Sequence, residues 1–117
     1  MVKKAIPLLI VFMLVLSSTA LVFAGINSIT WSRSLNFSGN TAVCKASVTE
    51  SGSECSISAE LYQGSNLVAY WDDLAMNKAS VSGNAYNCIS GLTYRLEVTA
   101  TVNGNPVTIN SITKTCP

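Results

Sequence analysis

The chain has 117 residues, a formal charge of +1, no histidine and four cysteines. Without histidine the commonest general base and metal ligand is missing, so neither a Ser-His-Asp nor a Cys-His pair can be assembled. Its seven basic residues form no cluster, which argues against a nucleic-acid partner and against a polybasic membrane patch.

Residues 1–24 read as a secretory signal peptide. Lys3 and Lys4 precede an apolar run from Ala5 to Leu16, and small residues lead to Val22-Phe23-Ala24 before Gly25. A retained anchor is the alternative, but the run falls short of the ~20 residues a helix needs to span a bilayer. No later apolar segment could anchor the chain, so the expected product, residues 25–117, is a single secreted domain with no stable membrane insertion. Lys3 and Lys4 leave with the signal. Arg33, Lys45, Lys78, Arg95 and Lys114 then face Glu50, Glu54, Glu60, Asp72, Asp73 and Glu97, a formal charge of −1.

Downstream, short runs of alternating apolar residues are separated by Gly, Asn and Ser. Ile29, Trp31, Leu35 and Phe37 share one face of a first strand, and Ser38-Gly39-Asn40 makes a turn. Ala42, Cys44, Ala46 and Val48 give a second inward face. Glu50 to Glu54 reads as a loop. Cys55, Ile57, Ala59 and Leu61 form a third inward face, and a turn at Gln63-Gly64-Ser65-Asn66 precedes a short strand from Leu67 to Trp71. Asp72 to Lys78 reads as a polar connection with room for one helical turn, and Ala79 to Asn87 as a weak strand. The clearest strand follows, with Leu92, Tyr94, Leu96, Val98, Ala100 and Val102 on one face. Asn103-Gly104-Asn105-Pro106 is a hairpin turn, and Val107 to Thr115 is the closing strand. Six or seven strands about ten residues apart predict an all-β, antiparallel sandwich.

Cys44, Cys55, Cys88 and Cys116 are separated by 11, 33 and 28 positions, with no C-x-x-C pair, so an exported domain favours two disulfides over a zinc site. Alternating strand direction places Cys44, Cys88 and Cys116 near one end and Cys55 at the other. Cys44–Cys88 is the preferred bridge, with the remaining connectivity open.

Tyr94 opens the best strand just after the turn Ile89-Ser90-Gly91, the position of a tyrosine corner, whose hydroxyl bonds back to the preceding connection. Trp31, Ala42-Val43-Cys44-Lys45-Ala46, Ile57-Ser58-Ala59-Glu60-Leu61-Tyr62-Gln63, Trp71 and Gly91-Leu92-Thr93-Tyr94-Arg95-Leu96 together resemble a family of small exported proteins of Gram-positive bacteria of unknown function. The resemblance implies a secreted immunoglobulin/fibronectin-III-like sandwich and brings no catalytic residue.

Several residues are candidates for function. Glu50, Glu54, Asp72 and Asp73, with Asn103-Gly104-Asn105, are expected to gather on loops at one end, where carboxylates can bind calcium or simply stay solvated. Trp71 beside Asp72 and Asp73 is the strongest candidate for a partner-binding surface, on the logic that a buried aromatic anchors an interface. The sequon Asn36-Phe37-Ser38 is incidental to a bacterial-looking export signal. The sequence therefore predicts a non-catalytic, disulfide-stabilised module without cofactor or metal. It would bind a protein or cell-envelope partner through its loops. The alternative is a carbohydrate-binding module using Tyr70, Trp71 or Tyr86.

Overall fold

A computed structural model of the chain describes residues 28–117; the expected signal peptide, residues 1–24, lies outside the described residues. Among these residues there are six strands and no helix. They are β1 (Thr30–Ser38), β2 (Thr41–Gln63), β3 (Asn66–Ala85), β4 (Thr93–Val102), β5 (Asn105–Val107) and β6 (Ile112–Thr115). All pairings are antiparallel within one curled sheet.

The two long strands make the curl. The first part of β2, up to Thr49, lies between β1 and the last part of β3. From Glu54 onward β2 lies between the first part of β3 and β4. Between these parts the ladder is interrupted: Glu50 to Ser53 on β2 stand opposite Asn77 alone. Extra residues on one strand of a pair bend it and sharpen its twist. Gly52 (φ 78°) and Asn77 (φ 72°) adopt the left-handed conformation the bend requires, and the Gly52 N–H donates to Asn77 Oδ1 at 2.7 Å.

The predicted inward faces of β2 and β4 are the ones buried. Ala42, Cys44, Ala46 and Val48 precede the bend; Cys55, Ile57, Ala59 and Leu61 follow it, and Leu96, Val98, Ala100 and Val102 join them in one core. The Phe37 and Tyr94 rings meet edge to face with centroids 5.7 Å apart, joining β1 to β4. Lys114 Nζ donates to Asn36 Oδ1 at 3.1 Å and Arg33 Nε to the Asn110 carbonyl, which ties β1 to the C-terminal segment.

Three readings of the sequence are corrected. Glu50 to Glu54 is a bend inside one strand, not a loop between two. Asp72 to Lys78 is neither a connection nor a helical turn: Asp72 and Asp73 occupy ladder positions opposite Ser58 and Ile57. Aspartate is a poor strand former, but pairing along β2 outweighs that local preference. The segment from Val107 to Thr115 is not one strand, because β5 and β6 pair with opposite ends of β4 and buried Ile109 lies between them.

The Tyr94 hydroxyl accepts a hydrogen bond from the Ile89 N–H at 2.8 Å, holding the β3–β4 connection against β4. Tyr94→Phe removes the acceptor and leaves that N–H unpaired. The expected loss is about 1–3 kcal/mol, read as a lower urea midpoint at unchanged slope.

Candidate functional site

The bend gathers part of the expected loop cluster. Asn103, at the β4–β5 turn, takes the Glu54 N–H on its side-chain oxygen at 2.9 Å and donates its own N–H to the Glu54 carbonyl at 2.8 Å. Asp72 and Asp73 do not join this end, since both stand within β3. Glu50 is not a solvated loop acid either. It is buried, receives the Ser53 hydroxyl at 3.3 Å on one carboxylate oxygen, and has no partner for the other among the described residues. No group of three or more acidic or cysteine side chains among the described residues is placed to hold a metal ion.

Trp71, Asp72 and Asp73 divide between the two faces of β3, because neighbouring strand residues point oppositely. Trp71 turns inward and packs on the core, its indole lying over Gly83. Asp73 Oδ2 accepts the Ser80 N–H at 3.0 Å, a structural bond near the bend. Only Asp72 faces outward, and there the Tyr70 hydroxyl donates to its Oδ2 at 3.1 Å. That bond is the main cause holding the Tyr70 phenol above its usual range.

Tyr70 and Asp72 belong to a surface that three strands build together. Register puts Ser58 between Asp72 and Thr99, and Ser56 between Leu74 and Thr101. Ser56 and Thr101 share a hydrogen bond at 2.5 Å. The result is a shallow depression of about 330 Å³ bordered by Tyr70, Asp72, Leu74, Ser56, Ser58 and Thr99. Farther along the same face Arg95 pairs with Glu97 at 2.6 Å and lies 5.0 Å from the centre of the Tyr62 ring. An exposed ion pair of this kind adds little stability and serves to order the surface.

The first part of β3 is also an edge, paired with β2 alone. Its outward positions Val68, Tyr70, Leu74 and Met76 are 43%, 51%, 65% and 60% exposed. Sequence reasoning passed over Leu74, Ser56, Ser58 and Thr99. The available signal was the alternation of small hydroxyl residues opposite the inward faces of β2 and β4.

The four cysteines are buried free thiols, so the two expected disulfides are absent from this structure. Cys55 sits beside the bend, opposite Ala75 and Val102. Cys44, Cys88 and Cys116 lie toward the Gly39-Asn40 turn, so Cys55 has no cysteine within bonding reach. The chain matches no protein family, no curated protein and no solved structure.

Proposed function

We propose that the chain is a secreted, non-catalytic module that binds a protein or cell-envelope partner. In this reading its curled sheet is an immunoglobulin/fibronectin-III-like sandwich, and it is one of the small exported proteins of Gram-positive bacteria that its sequence resembles. The observation that carries the binding role is the outward row of β3. Four of its five side chains from Val68 to Met76 are apolar and exposed, where a solvent-facing strand position is normally polar. In this reading the binding surface is this strand face. The lack of histidine supports a role without catalysis. Export would place the thiols in an oxidising compartment, where disulfides form.

The alternative of a carbohydrate-binding module has its own observation. Tyr70 offers a ring, and Asp72, Ser58 and Thr99 offer hydrogen-bonding groups around one depression, the combination that holds a sugar. Trp71 has no part in it.

Binding of the purified domain to the envelope fraction of the producing cells and to a glycan array tests both readings. Tyr70→Ala and Leu74→Asp are expected to weaken envelope binding at least ~10-fold, the loss typical of an interface anchor. Because both side chains are exposed, the melting temperature should stay nearly unchanged. Binding confined to the array would favour the sugar reading, and binding to neither would reject the module. N-terminal sequencing of the released protein should begin at Gly25.

A further inference from the structure

Three of the four thiols meet at the end of the fold opposite the bend, and the backbone holds them there. The Cys88 N–H donates to the Asn40 carbonyl at 2.8 Å, and Asn40 Nδ2 returns a bond to the Cys88 carbonyl at 2.7 Å. Cys116 donates its N–H to the Leu92 carbonyl at 2.9 Å and accepts the Gly91 N–H at 2.8 Å. Its thiol lies 3.9 Å from the Gly39 carbonyl, one residue before Asn40. The Gly39-Asn40 turn thus touches both residues. Cys44 is nearby on β2, opposite Gly83, while the Cys88 thiol lies 3.5 Å from the Ala85 carbonyl.

We propose that Cys88 and Cys116 are the redox-active pair of this chain, joined by exchange with a small external disulfide while Cys44 and Cys55 remain thiols. Position relative to the strands separates the candidates. Cys44 is fixed on both sides, between Leu35 of β1 and Gly83 of β3, in the middle strand of its half-sheet. Cys88 lies in the connection after β3, and Cys116 lies one residue past β6. Neither is a strand residue, so the narrow geometry of a disulfide can be met by turning the two side chains while the backbone bonds above stay in place. Burial, and then the nearby Cys88, push the Cys44 thiol up to about 11. Burial and Cys88 also raise Cys116, so Cys88 is the neighbour common to both.

With oxidised glutathione the exchange balances. The Cys88 thiolate attacks one glutathione sulfur, the glutathione disulfide breaks, and one glutathione leaves as a thiolate that takes up the proton Cys88 released. The Cys116 sulfur then attacks Cys88 in the mixed disulfide, and the second glutathione leaves with the Cys116 proton. Two protein thiols are oxidised and one glutathione disulfide is reduced to two thiols. The new bond would tie the C-terminal end to the β3–β4 connection and close a loop containing β4, β5 and β6.

This pairing rests on the export reading only for where the oxidant is met. Its test uses purified protein, so failure leaves the N-terminal sequencing result untouched. The protein is equilibrated with oxidised glutathione, quenched in acid, alkylated in denaturant and mapped by mass spectrometry. The expected result is loss of two thiols, a Cys88–Cys116 linked peptide and a melting temperature higher by roughly 10 °C that reductant reverses. Cys116→Ser should abolish both link and shift, whereas Cys55→Ser and Cys44→Ser should keep them. Four remaining thiols, a stable glutathione adduct, or a bond through Cys44 or Cys55 in the wild-type protein would overturn the proposal. The wild-type map decides even if a variant does not fold.

Discussion

Gly83→Ala is expected to destabilise the domain by about 1–3 kcal/mol, and removing Trp71 from the same molecule is expected to restore part of that loss. Gly83 has no need of unusual backbone freedom; its role is to leave space. A Cβ at this position would overlap the Trp71 indole at Nε1, Cε2 and Cζ2. Both residues belong to β3, six positions either side of Asn77, and the bend brings them face to face. Trp71→Ala alone is expected to cost about 2–4 kcal/mol, somewhat below a fully buried tryptophan because the indole is only half-buried. A urea-unfolding double-mutant cycle should give a coupling of at least ~0.5 kcal/mol. Simple additivity would show that the indole does not rest on Gly83. Tyr70→Ala, one residue away on the opposite face, is the matched control and should change stability by less than about 0.5 kcal/mol.

Leu61→Ala carries the second large effect, a loss of about 3–5 kcal/mol. Leu61 is fully buried and stands in the middle strand of its half-sheet, between Ala69 and Leu96. Strands on both sides keep the site from collapsing into the space a leucine leaves, which puts the cost in the upper part of the range for such truncations. Domains of this size have about 5–15 kcal/mol in total, so the variant should be partly unfolded at 37 °C. Circular dichroism against temperature would show it. A melting temperature within a few degrees of wild type would mean that Leu61 is not a core residue. Leu74→Ala, on an exposed leucine of β3, should leave the same curve nearly unmoved.

These residues also mark what the sequence could show. The buried faces of β2 and β4 were legible because strict alternation of apolar and polar residues survives wherever a strand covers a core on one side. Their joins were not. Glu50 to Glu54 and Asp72 to Lys78 have the composition of loops, and only the pairing partner, contributed from elsewhere in the chain, makes them strand. Gly52 and Asn77 were the local marks of the bend, but neither residue alone distinguishes a bend from a turn. The candidate site shifted by one residue for the same reason. Trp71 draws attention by size, yet β3 turns it inward over Gly83 and presents Tyr70 and Asp72. The sulfur atoms could be placed at the two ends from strand direction, but which cysteines lie outside the ladders could not be read from it.

The continuous β2–β3 ribbon has a consequence for how the domain comes apart. Each half-sheet takes strands from the same two segments, which the Gly64-Ser65 turn joins and which both run through the bend as strand. Among the described residues there is no linker at which one half could detach while the other stays folded. Opening either half strips the apolar face of the other, so local opening on the scale of a half-sheet becomes global opening. Slowly exchanging amide hydrogens should therefore run along the ribbon through both halves as one cooperative unit, not divide into two.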